Sequence, residues 1–116
     1  MKRQLAERSG RDAEARAASW LSGQGWSILA ERVKMKGGEV DLIARKEAVV
    51  AFVEVKWRYR PEELDFAIDE RRLSRVAAAA EALAADYAAN GEDIRIDVIL
   101  LAPGTPPRHI ANAWQP

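Results

Sequence analysis

Residues 39–57 hold two runs rich in aliphatic residues, Glu39 to Arg45 and Ala48 to Trp57, joined only by Lys46-Glu47. So short a connection between two strand-length runs predicts an antiparallel hairpin. Alternation along the first strand puts Val40, Leu42 and Ala44 on one face and Glu39, Asp41 and Ile43 on the other. In the second strand Val53, Val55 and Trp57 share a face, leaving Phe52, Glu54 and Lys56 together. Matching the apolar faces sets Asp41 beside or diagonal to Glu54. One register then buries Val40, Leu42, Val53 and Val55 while aligning Asp41 with Glu54 and Lys56. Two carboxylates and a lysine in the middle of an aliphatic sheet are costly to desolvate unless they pair or bind a cation.

That cost has a chemical motive. Magnesium prefers hard oxygen ligands, usually one or two carboxylates with water and phosphate. Asp41 and Glu54 supply that set, and the backbone carbonyl of Val55 can complete it. A bound Mg²⁺ or Mn²⁺ acidifies water and neutralises a scissile phosphate, and Lys56 is suited to orient that water or stabilise charge building on phosphorus. A bare Glu-x-Lys is more simply a cross-strand salt bridge on a half-solvated sheet. The specificity lies in the complete hairpin.

The rest of the chain supplies layers for this sheet. Residues 1–9 are polar and read as a flexible or weakly helical arm, and 10–116 as a single domain. From Arg11 to Ser22 apolar residues recur at helical spacing, with Ser9 or Gly10 as a cap and Gly23 and Gly25 as stops. Trp26 to Val33 reads as a strand, and Lys34-Met35-Lys36-Gly37 as a basic turn. Arg58 to Phe66, with Pro61, is a loop or a short irregular helix. A long helix runs from Asp69, as N-cap, to Ala89 before Asn90-Gly91. Ile94 to Ala102 and Arg108 to Trp114 are further strands, the last at an edge. The predicted order is α-β-β-β-α-β-β, an α/β fold with a mixed sheet flanked by helices.

Composition narrows the function. Eighteen basic and eighteen acidic side chains give no net charge, so any nucleic-acid contact depends on local clusters. With no cysteine, a thiolate zinc site, a disulfide scaffold and a cysteine nucleophile are excluded, and a cytoplasmic setting fits. No apolar run has the length of a signal core or a membrane span, so no membrane partner is expected. Gly37-Gly38 lacks the further glycines of a phosphate loop, and nucleotide hydrolysis is disfavoured.

Gly38-Glu39-Val40-Asp41-Leu42-Ile43-Ala44 followed by Val53-Glu54-Val55-Lys56-Trp57-Arg58 resembles the signature of the YraN-like bacterial family. Gly10-Arg11 with Glu14, Gly25-Trp26-Ser27-Ile28-Leu29, Arg95-Ile96-Asp97-Val98 and His109 to Trp114 extend the resemblance over nearly the whole chain. That family belongs to the restriction-endonuclease-like, or PD-(D/E)xK, superfamily and is similar in its core to archaeal Holliday-junction resolvases. The resemblance implies a restriction-endonuclease-like fold and a metal-dependent nuclease acting on DNA or another nucleic acid, with branched or structured DNA as one target and a homodimer as one assembly. It carries over Asp41, Glu54 and Lys56 as catalytic residues, Glu14 as an additional acid, and Glu39 in a less defined role. Where many relatives place a lysine near the start of the long helix, this chain has Asp69, so a phosphate contact there falls to Arg71, Arg72 or Arg75.

Other residues have two readings each. Arg58 and Arg60, with Arg71, Arg72 and Arg75, form either a basic rim for backbone phosphates or a solvated face paired with Glu62, Glu63 and Glu70. Glu14 lies on the stripe of Ala17, Ala18 and Leu21, facing either a polar site or Arg11 one turn earlier. Trp57 and Tyr59 are read as packing rather than base-stacking, and His109 as structural. Asp97 is either a bridging acid within the sheet or part of the site. Against the nuclease stand a non-catalytic nucleic-acid-binding module and a protein-interaction adaptor with the same fold.

Overall fold

A computed structural model of the chain describes residues 2–114, with only the backbone course described for 2–9. The elements follow as α1 (Lys2–Gly23), β1 (Ser27–Met35), β2 (Gly38–Lys46), β3 (Val49–Trp57), a 3-10 helix (Pro61–Phe66), α2 (Glu70–Tyr87), β4 (Asp93–Leu101) and β5 (Arg108–Ile110). The five strands form one sheet in chain order. β1–β2, β2–β3 and β4–β5 are antiparallel; β3 and β4 run parallel because α2 carries the chain back across the sheet. The mixed α/β fold and its element order are those expected from the sequence.

The two helices cover opposite faces. Leu73, Val76, Ala79 and Ala80 of α2 pack on Val40, Ile43, Phe52, Val98 and Leu100. Ala13, Ala17 and Leu21 of α1 pack on Leu42, Ala44, Ala51, Val53 and Ile99. The central strands β3 and β4 are therefore buried from both sides, which is why they read as near-continuous apolar runs. Alanines on both helices let their backbones lie close to the sheet. Gly38 does the same for the hairpin tip, since a Cβ there would stand 3.1 Å from the Arg75 carbonyl oxygen.

Several details depart from the sequence-based expectation. α1 runs straight through Ser9 and Gly10, so neither caps it; 2–8 hold no proline and several good helix formers, and one internal glycine weakens a helix without ending it. The backbone of 2–9 thus follows the helix, and the side chains of 1–9 lie outside the described residues. Lys34 and Met35 belong to β1 rather than to a turn. Within Arg58 to Phe66, Pro61–Phe66 form the 3-10 helix, in keeping with the expected loop or short irregular helix. Asp69 is the N-cap of α2 as expected, its carboxylate accepting from the Arg71 and Arg72 N–H groups.

The largest correction concerns Val40. It packs under α2, whereas Leu42 and Ala44 pack under α1, so β2 changes facing at Asp41. β1 changes with it: an extra residue between Ile28 and Ala30 shifts the pairing, and Arg32, beside Asp41, takes the left-handed φ of 52°. Simple alternation cannot foresee a paired irregularity of this kind.

The last strand is also shorter than expected. It ends at Ile110 instead of Trp114 because the chain turns at Asn112, φ 52°, whose N–H donates to Asp97 Oδ1 at 2.9 Å.

Candidate active site

The β2–β3 ladder runs from Lys46 opposite Val49 to Leu42 opposite Val53. At the next step the Asp41 side chain replaces the backbone, and the Val55 N–H donates to Asp41 Oδ2 at 2.8 Å. Asp41 and Glu54 thereby come to neighbouring positions on adjacent strands, only 6% and 2% exposed. Glu54 Oε1 accepts from Arg72 Nε of α2 at 3.1 Å, and Lys56 Nζ lies 3.4 Å from the same oxygen. Glu54 Oε2 is buried with no hydrogen-bond partner. Burial first, then the charge of Glu54, pushes the Asp41 carboxyl up to about 7, against the lowering effect of the Val55 N–H.

An orphaned carboxylate oxygen beside a carboxyl that resists ionisation is what two desolvated acids look like when their countercharge is incomplete. The pair fits a divalent cation on that ground. Among the described residues no group of three or more acidic or histidine side chains gathers to hold a metal. The donors that would be open to a cation are therefore few, Asp41, Glu54 and the Val55 carbonyl, which would leave the remaining positions to water and phosphate, as suits magnesium.

The other residues singled out by sequence divide sharply. Glu14 does not join the carboxylate pair and does not pair with Arg11; its Oε2 accepts from Arg32 Nε of β1 at 2.6 Å. It is near enough that its charge also raises Asp41. Glu39 stands opposite Lys34 and lines an open cleft of about 470 Å³ with Lys34, Arg72 and Arg75. Arg58 donates to its neighbour's carbonyl on Trp57 at 2.7 Å, while Trp57 packs at the core edge with Tyr59 against it. Arg60 and Arg71 are exposed. None of these arginines pairs with Glu62, Glu63 or Glu70 among the described residues.

Asp97 lies beside Val53 in the parallel register, on the α1 face and away from the Glu54 side chain. Arg95 grips it with Nε and Nη2 at 2.9 and 2.7 Å, and His109 Nε2 donates to it at 2.7 Å. Burial pushes this carboxyl up, but hydrogen bonds from His109, Arg95 and Asn112 overcome it and hold the group down at about 2. It is an anchor for β5. His109 sits against the edges of Trp20 and Trp26, and the Arg95 guanidinium lies over Trp26.

Sequence reasoning missed Arg32, and took Arg72 for a phosphate ligand without seeing its bond to Glu54. The signal for Arg72 was its place in the first turn of α2, where a cation opposes the helix dipole and needs an anion. For Arg32 the sequence carried none.

A mixed sheet between two helices, with paired acids and a lysine on its inner hairpin, is a resolvase-like fold. It matches Hjc of Archaeoglobus fulgidus, described as a Holliday junction resolvase, with a TM-score of 0.61 over 89% of this chain and 72% of that one. At 16% identity the likeness is one of fold. By sequence the chain belongs to the uncharacterised protein family UPF0102, whose pattern matches residues 13–101. UPF0102 proteins of Erythrobacter litoralis and Sphingopyxis alaskensis are 73% and 57% identical to it, each over the full length of both chains. No helix among the described residues is long and apolar enough to cross a membrane.

Proposed function

We propose that this chain is a metal-dependent nuclease that hydrolyses phosphodiester bonds in branched or otherwise structured DNA. The observation that carries the reading is the buried Asp41–Glu54 pair, one oxygen of which has no partner and one carboxyl of which is pushed up to about 7. The resolvase-like fold supports DNA as the substrate class.

Asp41, Glu54 and the Val55 carbonyl would hold Mg²⁺ or Mn²⁺, which supplies an acidified water and neutralises phosphate charge when bound. Lys56, beside Glu54, donates to a non-bridging phosphate oxygen or aligns the attacking water. The Val55 N–H fixes the Asp41 carboxylate, and Arg72 donates to Glu54 Oε1 as a countercharge that a bound cation would relieve. Glu14 acts through Arg32 beside Asp41, and Glu39 lies at the cleft margin. Arg58, Arg60, Arg71 and Arg75 are the outer contacts for backbone phosphates, whose binding energy is largely electrostatic. A homodimer working in the cytoplasm is the setting we propose, two copies giving a small domain enough surface to grip a duplex.

The test is cleavage of single-stranded, duplex and four-way-junction DNA in Mg²⁺ or Mn²⁺ by the native protein, Asp41→Asn and Lys56→Ala. Cleavage by the native protein alone supports the nuclease. Equal cleavage by all three, or none by any, defeats it. Binding that weakens steeply with salt but yields no cleavage indicates the non-catalytic module, and no binding at all the adaptor.

A further inference from the structure

A second cleft, of about 360 Å³, opens between α1 and β1 and is lined by Gly10, Arg11, Arg32 and Lys34. Every described side chain in that lining is cationic. Lys34 also lines the larger cleft on the α2 side, where Arg72 and Arg75 add two further cations against one acid, Glu39. In a chain with equal numbers of acidic and basic residues such a concentration is local and built. Arg11 and Lys34 are exposed, and among the described residues neither has a carboxylate partner. Arg32 is held at the cleft by Glu14, on a backbone in the left-handed region that a non-glycine residue adopts at a cost.

Gly10 gives the cleft its shape. It lies inside α1 with ordinary helical backbone, and a Cβ added there would meet nothing within 4 Å. Neither φ nor packing among the described residues requires a glycine, and glycine weakens a helix relative to alanine. What its missing side chain does is leave helix backbone bare in the lining of a cationic cleft, where a ligand can approach closely.

We infer that this cleft seats a backbone phosphate of the nucleic acid against α1 at Gly10, with Arg11, Arg32 and Lys34 as its cations. The assignment rests on the nucleic-acid reading of the carboxylate site and adds contacts on the opposite side of the hairpin from Arg72 and Arg75. Two cationic clefts meeting at Lys34 suit successive phosphates of a strand better than one free anion.

The experiment measures affinity for labelled four-way-junction DNA and for a linear duplex in EDTA, over a range of salt, so that metal chemistry does not enter. Lys34→Ala and Arg11→Ala should each weaken binding by on the order of three- to tenfold and flatten the log affinity against log salt slope by about 0.9. Arg16→Ala, which removes the same charge from an exposed site on α1 outside the cleft, should leave affinity nearly unchanged. Gly10→Ala should bind less tightly while melting at the same or a higher temperature, because alanine favours the helix. That pairing cannot arise from unfolding. Native-like binding by Gly10→Ala, Arg11→Ala and Lys34→Ala overturns the assignment and leaves the nuclease reading standing. Absence of binding by the native protein overturns both. Cleft-dependent binding without cleavage in Mg²⁺ supports the assignment and sinks only the nuclease.

Discussion

The N–H of Val55 donates to the Asp41 carboxylate at 2.8 Å, where a regular antiparallel ladder would send it to a β2 carbonyl. The side chain thus serves as backbone for one step of the sheet and is turned toward Glu54 in the same act. Structure and chemistry are tied together at this residue, so its substitutions should separate them.

Asp41→Ala leaves the Val55 N–H without an acceptor and should cost about 1–3 kcal/mol. Asp41→Asn keeps an acceptor and removes the charge. The Asp41 carboxyl is raised from 3.8 to about 7 in the folded chain, so the folded state holds a proton that the unfolded state releases. Its stability contribution is present below about pH 4 and is lost as the pH rises through about 7. Urea titrations in EDTA should therefore show Asp41→Asn gaining on the native protein across that window. Millimolar Mg²⁺ should restore the native protein and not the variant. A native curve insensitive to both pH and Mg²⁺ in this range would contradict the cation assignment.

Lys56 lies 3.4 Å from Glu54 Oε1, near enough to act on a phosphate that a cation would hold at the same carboxylate. Lys56→Ala should lower single-turnover cleavage by about 10²–10³-fold, the loss typical of one donor to a developing oxyanion. Junction affinity should change little. A parallel fall in binding and cleavage would make Lys56 a phosphate contact only.

Arg72 Nε lies 3.1 Å from Glu54 Oε1, the carboxylate that the proposed cation would need. Its side chain is partly exposed but Glu54 is buried, so Arg72→Ala should cost about 1–3 kcal/mol in thermal or urea unfolding. Calorimetric affinity for Mn²⁺ should rise, because one countercharge of Glu54 has gone. Weaker Mn²⁺ binding would show instead that Glu54 must be held by Arg72 before it can serve a metal.

Asp97 is fully buried and carries Arg95, His109 and the Asn112 N–H. Asp97→Ala should destabilise by about 3 kcal/mol, since it strands a guanidinium at the core edge. The Asp97 carboxyl is lowered from 3.8 to about 2, so its stability contribution is present above about pH 4 and is lost as the pH falls through about 2. Acid unfolding of the native protein should show that loss, and Asp97→Asn should not. Mn²⁺ affinity per folded molecule should stay at the native value, because the Asp97 and Glu54 side chains lie on opposite faces.

The hairpin was legible because two local signals agree: a two-residue connection and period-two alternation around Glu54 and Lys56. The α2 cap at Asp69 was legible for the same reason, its acceptor and donors being two and three residues apart. What stayed hidden depends on partners far along the chain. The facing of Val40 follows from a bulge in β1 and the left-handed Arg32. Glu14 finds Arg32 eighteen residues away, where the local alternative was Arg11. β5 stops where Asp97 captures the Asn112 N–H, although the sequence from Arg108 to Trp114 alternates well enough for a longer strand. Local pattern fixes which residues can share a strand, and tertiary hydrogen bonding decides where that strand breaks.

The change of facing at Asp41 puts this carboxylate at a seam between the two layers, with Val40 turned to α2 and Leu42 to α1. Both layers accordingly reach it through charge, Glu14 of α1 making the proton harder to release and Arg72 of α2 easier. Burial and Glu54 set its acidity first, and the two helices adjust it from opposite faces of the sheet. A partner drawing either helix aside would retune the acid without touching it.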